Sequence, residues 1–175
     1  MRREDITENP RMAGRVQRYH TWPTIQTQTN ADHTWNVMRI YWTIFGDLLP
    51  NVTSYLIWHD CGEIVPGDVP HPVKRDHPEL GELHKGIETV TVDNMIFPKT
   101  INKISNDLIV RCKICELIEM HEFACVELAM GNRYALPVFD VTLEGIWSFM
   151  SKSEIKPHAK QVTDYMLAYC RKHKL

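Results

Sequence analysis

The sequence predicts an all-α protein, a compact bundle of six or seven helices. Apolar residues recur at steps of three and four through most of the chain. No stretch shows a convincing strand alternation. Prolines and a glycine mark the breaks between the periodic stretches.

The first helix begins at Asn30, and Val37, Ile40, Tyr41, Ile44, Phe45 and Leu48 form its apolar side. Asn30 can cap it, and Asp32 in the first turn complements the helix dipole. His33 lies one turn before Val37 and so points to the buried side. A second helix from Asn51 carries Tyr55, Leu56 and Trp58 into His59-Asp60. The following VPGDVPHPVKRDHP holds four X-Pro steps, which favour extended backbone. Pro78 suits the first position of a third helix, about 78–95, with Leu80, Leu83 and Ile87 on one side. Pro98 interrupts the pattern. The longest helix, about 101–130, places Asp107, Ile114, Leu117, Ile118, Cys125 and Leu128 near one inward stripe, and Gly131 can end it. Two more helices span about 138–150 and 158–172. Their aromatic residues (Phe139, Trp147, Phe149, Tyr165, Tyr169) suit a core or a subunit interface.

The 175 residues favour one domain with its own core. An apolar share of 43% excludes wholesale disorder. A formal charge of −2 gives no general attraction to duplex nucleic acid, so any phosphate site must be a local basic cluster. No apolar run reaches the roughly 18 residues of a membrane span, and MRREDITENP lacks the apolar core of a secretory signal. An odd set of five cysteines suits a reduced, cytoplasmic chain better than a disulfide framework. Cys112 and Cys115 lie inside an apolar helical pattern with no second pair, and read as buried thiols.

The functional signal comes from polar groups at inward positions. His33 is on a buried face, His59-Asp60 follows the apolar SYLIW, and Asp107 interrupts the run of the long helix. A buried carboxylate must be paired or bound to a metal. Together, two imidazoles and two carboxylates suit Zn, Mn, Fe, Co or Ni better than a purely oxygen-loving ion. Singly, each has a plainer reading, such as a hydrogen-bonded core histidine, or Asp107 paired with Arg111 one turn on.

The order His, then His-Asp, then Asp on successive helices resembles the HD superfamily of metal phosphohydrolases. RYHTWPTIQTQTNADHTWNV is similar to the segment of the bacterial HD-domain 5′-deoxynucleotidases in which an Arg-aromatic pair precedes the first metal histidine. WHDCGEIVPGDVPHPVK resembles their His-Asp segment, with its Glu and its GD-P-x-P-x-K loop. SNDLIVRCKICELIEM, with Gly131-Asn132 at the helix end, resembles their last-ligand helix. The resemblance covers about residues 15–132. It implies an HD-domain fold and one phosphohydrolase domain over residues 1–175. His33, His59, Asp60 and Asp107 would hold one divalent metal (Zn, Mn, Co, Fe or Ni), with a second Mg entering on the substrate phosphates as an option. Glu63, three residues after Asp60, would orient or deprotonate the attacking water, and Asp68 would protonate the leaving oxygen. Arg18 and Lys74 would hold phosphate oxygens. Tyr19 and Trp22 would stack on a base, and Ile25 would sense its edge by shape.

Within that resemblance the bacterial relatives dephosphorylate deoxynucleoside monophosphates, and compact phage relatives are dATP triphosphohydrolases that release deyoxyadenosine and triphosphate. The short chain, with His71, Lys74, Arg75 and Lys85 available for a longer phosphate tail, favours the triphosphohydrolase. The 5′-deoxynucleotidase is the alternative. A non-catalytic metal- or nucleotide-binding module would need the ligands only, and the presence of Glu63 and Asp68 argues against it. A second metal near His71, His77 or His84 is disfavoured, because two of these lie in the proline loop. The expected setting is a homo-oligomer acting on a deoxynucleotide in the cytoplasm, or in a host's cytoplasm if phage-encoded, with no membrane partner.

Overall fold

The computed structural model describes residues 10–95 and 104–173. Seven α-helices among them form the all-α bundle that the periodicity predicts: α1 (Asn30–Phe45), α2 (Pro50–Trp58), α3 (His71–Asp76), α4 (Pro78–Asn94), α5 (Asn106–Ala129), α6 (Leu136–Met150) and α7 (Ala159–His173). Short 3-10 turns at Pro10–Arg15, Cys61–Ile64, Arg133–Ala135 and Lys156–His158 join them. No described helix is long and apolar enough to cross a membrane.

α5 is the axis. It packs against α1, α6, α7 and α2, and the core closes around it through Val37, Ile40, Tyr41, Leu56, Cys112, Ile114, Cys115, Ile118, Ile146 and Val162. Cys112 and Cys115 are both fully buried, as expected of plain core thiols.

Several boundaries differ from the expectations, each for a local reason. Thr29, not Asn30, caps α1: the Thr29 side chain accepts from the Asp32 backbone N–H, and the Asp32 carboxylate accepts from the Thr29 backbone in return. The proline segment is not extended throughout, because Pro72 falls in the first turn of α3, where a missing N–H costs nothing. Residues 17–18 and 28–29 pair as a two-residue antiparallel ladder, Gln17 with Thr29 and Arg18 with Gln28, too short to show as an alternation. The expected helix start at Ile101 and the break at Pro98 lie outside the described residues. Within them α5 begins at Asn106, capped by the Ser105 side chain.

The stripe of α4 formed by Leu80, Leu83, Ile87 and Val90 faces solvent, and Leu83 is 63% exposed. α4 docks instead through its opposite side, where Gly62 lies against the backbone of Glu88 so closely that a Cβ would come within 2.7 Å.

Candidate metal centre

The centre forms where the start of α1, the end of α2 and the middle of α5 meet. His33, the fourth residue of α1, is held in place by the Thr29–Asp32 cap. Its Nδ1 lies 2.6 Å from Glu119 Oε2 on α5. A carboxylate oxygen accepts, so the proton belongs on Nδ1, and the Nε2 lone pair faces Asp60 Oδ2 at 3.8 Å. His59 follows α2 directly. Its Nδ1 donates to the Leu56 carbonyl at 2.7 Å, and its Nε2 lies 3.2 Å from the same Asp60 oxygen. Two imidazoles therefore aim Nε2 at one carboxylate oxygen, each fixed from behind by a bond to Nδ1. The donor atoms of His33, His59 and Asp60 lie within 4.8 Å of one another. The fit to a divalent cation is good: nitrogen and oxygen donors, the correct tautomers, and a buried His59 Nε2 that has no hydrogen-bond partner.

The electrostatics agree. Burial works against ionisation of Asp60, but the charges of His59, His33 and Arg18 hold it well below the usual carboxylate range. Burial also disfavours a charged His59, yet Asp60 outweighs this and raises it to about 8. A cation seated between them would replace that proton.

Asp107 is not part of this arrangement. It lies in the first turn of α5, its side chain is 46% exposed, and it pairs with Arg111 at 3.2 Å. Twelve residues of helix separate it from Glu119, about 18 Å along the axis. The plainer pairing with Arg111 is the one the fold adopts. Besides Glu119, the α5 carboxylate that acts on the centre is Glu116, whose charge helps to raise His59. Its Oε2 takes Lys113 Nζ at 2.6 Å, while its Oε1 is buried without a partner.

Glu63 is buried next to the three donors. Its Oε2 accepts from Asn30 Nδ2 at 2.8 Å. Burial, with the charges of Asp60 and Asp68, pushes it up to about 7, in the range useful for moving protons at neutral pH. Asp68, in the turn after Gly67, is near enough for its charge to act on Glu63, Arg18 and Tyr19. His84 of α4 braces that turn through the Gly67 carbonyl at 2.8 Å, and contacts Glu88 Oε1 at 2.8 Å. His84 is thus bound to protein groups and His71 and His77 are exposed; among the described residues the three do not gather as a ligand group. Lys74 lies 4.0 Å from Glu88 Oε1, in the contact of α3 with α4.

Arg18 Nη1 donates to Asp60 Oδ2 at 3.2 Å. Burial opposes its charge, but Asp60 more than compensates, so it stays protonated. Tyr19 adopts the left-handed region, with φ 53°, uncommon for a residue with a side chain. Its ring stacks on Phe123 at 4.5 Å between centroids, 4° from parallel, and its hydroxyl is buried without a partner. Trp22 Nε1 donates to the Tyr134 carbonyl at 2.9 Å. Ile25 is 58% exposed. Six of the eight unpartnered buried side-chain atoms among the described residues belong to Arg18, Tyr19, Gln28, Asn30, His59 and Glu116. Unsatisfied polar atoms crowded around one place mark where a polar ligand is expected.

Besides Glu116, sequence reasoning missed two further carboxylates on α5. Glu119 orients His33, with its other oxygen bound by Gln28 Nε2 at 2.6 Å. Glu127, fully buried, accepts from the backbone N–H groups of Ile25 and Gln26 at 2.7 and 2.8 Å and from Asn132 Nδ2 at 2.6 Å. The signal was present: glutamates at 116, 119 and 127 stand among apolar residues of one helix.

Comparison with known proteins accords with this geometry. The cyanophage S-2L HD phosphohydrolase DatZ, solved with dA and one catalytic Zn2+ ion bound, superimposes with a TM-score of 0.68 over 94% of each chain at 23% identity, which establishes the HD-type fold. A 5′-deoxynucleotidase of Shewanella oneidensis is 29% identical over 90 residues; the match spans 46% of this chain and 46% of that relative, a little under half its length. The family described as 5′-deoxynucleotidase YfbR-like matches residues 11–129, which include His33, His59, Asp60 and Glu116. The chain belongs to the YfbR-like 5′-deoxynucleotidase family.

Proposed function

We propose that this chain is a metal-dependent deoxynucleotide phosphohydrolase, with dATP, cleaved to deoxyadenosine and triphosphate, as its leading substrate. The observation that carries the hydrolytic reading is the convergence of His33 Nε2 and His59 Nε2 on one oxygen of Asp60. Glu116 stands as the fourth donor in place of Asp107, on the strength of its unpartnered buried oxygen and its action on His59. When bound, a divalent cation such as Zn supplies a water of lowered pKa and polarises a phosphoryl oxygen.

The protein's own groups do the rest. Glu63 orients the attacking water and takes its proton. Asp68 returns a proton to the 5′ oxygen as it leaves the α-phosphorus. Arg18 balances negative charge on the phosphate, and Lys74 reaches toward the tail. Tyr19 and Trp22 hold the base, with Ile25 against its edge.

A monophosphate and a triphosphate are cut at the same bond, between the 5′ oxygen and the α-phosphorus. They differ only in what the phosphorus carries on its far side, so the catalytic residues do not separate the two. The likeness to DatZ, solved with dA bound, favours deoxyadenosine as the nucleoside, and Lys74, Arg75 and Lys85 supply the cations that a longer phosphate tail would need. The family match favours the second reading, a 5′-deoxynucleotidase acting on monophosphates. Incubation with each deoxy- and ribonucleotide at each phosphorylation level, with products resolved by chromatography, decides. Triphosphate from dATP with dAMP untouched supports the first reading; inorganic phosphate from dAMP supports the second; no hydrolysis with any tested metal removes both.

The exposed apolar stripe of α4 and the exposed Trp35, Trp42 and Trp147 suit a homo-oligomer, which sedimentation would reveal. Five free thiols suit the cytoplasm.

A further inference from the structure

A second group of ligating side chains lies on the other side of α5. His121 and Cys125 sit one turn apart on that helix, and Cys170 comes from α7. At about 100° per residue, Cys125 is turned about 180° from Glu116, so this group and the HD centre occupy opposite faces of the same helix. One imidazole nitrogen and the two sulfurs lie within 4.8 Å of one another. A zinc-type ion, with bonds of about 2.0 Å to nitrogen and about 2.3 Å to sulfur, would draw them only slightly closer.

The histidine is already prepared. Its Nδ1 lies 3.0 Å from Thr142 Oγ1 on α6. That hydroxyl donates its own hydrogen to the Val138 carbonyl at 2.7 Å, so toward the imidazole it accepts. The proton is thereby fixed on Nδ1 and the lone pair on Nε2. His121 is 1% exposed, and Nε2 is buried without a hydrogen-bond partner. A core histidine of purely structural use would not leave that atom unsatisfied.

We propose that His121, Cys125 and Cys170 bind a second, thiophilic divalent cation of the zinc type, which clips the C-terminal helix α7 onto α5. Two sulfurs and one imidazole form a softer donor set than the HD centre offers, and they select for such an ion. Cys170 is only partly buried, so the group is reachable from solvent. Binding exchanges one divalent ion for two thiol protons released to solvent, with no change of oxidation state.

The test uses the full-length protein, kept reduced with a phosphine, and titrated first with Co2+ and then with Zn2+. The HD centre has only nitrogen and oxygen donors, so sulfur-to-cobalt charge-transfer absorption in the near ultraviolet reports the second site alone. The expected result is about two equivalents bound per chain, with that absorption present, and displaced by Zn2+. Cys170→Ser should abolish the absorption and lower the stoichiometry to about one, with nucleotide hydrolysis unchanged. His59→Ala should keep the absorption. Should Cys125→Ser fail to fold, protection of Cys170 from alkylation by Zn2+ in the unmodified protein gives an independent reading. Absence of the charge-transfer band at saturating Co2+, or its survival in Cys170→Ser, would overturn the proposal.

Discussion

Glu119 Oε2 and His33 Nδ1 lie 2.6 Å apart, and both side chains are 2% exposed. A buried carboxylate behind a metal-facing imidazole fixes its tautomer and makes it a stronger donor. Glu119→Ala should lower the metal affinity of the HD centre by about 10–100-fold. Competition with a calibrated chelator measures it, and an unchanged affinity would show that His33 is oriented by other contacts.

The replacement of Asp107 by Glu116 separates two variants cleanly. Asp107→Asn should leave metal content and turnover near those of the parent, since the group lies in an exposed pair with Arg111. Glu116→Gln removes a charge that acts on His59, and should reduce both metal loading and rate by at least about tenfold. Elemental analysis beside a rate assay distinguishes them; equal behaviour of the two variants would contradict the assignment.

Glu63 is buried, bonded to Asn30, and three residues beyond Asp60. Glu63→Gln keeps its size and most of its hydrogen bonding but removes its capacity to take a proton. Turnover should fall by about 10²–10⁴-fold with metal content intact. A variant that retains both its metal and its full rate would show that water is activated without this carboxylate.

Gly62 has no room for a side chain, because α4 presents the Glu88 backbone 2.7 Å from where a Cβ would stand. Gly62→Ala should therefore destabilise the fold by about 1–3 kcal/mol. Thermal unfolding of the two proteins under the same metal loading reads this directly.

The helical frame was legible because it follows from periodicity and from prolines at helix starts. Pro78 and α4, and the apolar spacing of α1, α6 and α7, show this plainly. His33, His59 and Asp60 were legible because ligating groups stood where apolar ones were due. Asp107 misled for the same reason: a carboxylate at a helix N-terminus, close to Arg111, satisfies itself locally. The glutamates of α5 were harder to read. A charged residue in an amphipathic pattern ordinarily faces water, and only the packing of α1 and the 17–29 ladder around α5 encloses Glu119 and Glu127. The exposed stripe of α4 marks the opposite failure, since periodicity identifies an apolar face without telling what covers it.

Glu127 grips two consecutive peptide N–H groups of the stretch that carries Trp22 and Ile25, and Asn132 adds a bond to the Pro23 carbonyl at 2.8 Å. The stretch around Ile25 is thus bolted, through its own backbone atoms, to the same rod that carries Glu116 and Glu119. The exposed side chain of Ile25 takes no part in that grip and is free to vary without loosening it. On the proposed function, base selectivity can therefore drift over evolutionary time at this position while the hydrolytic apparatus stays as it is.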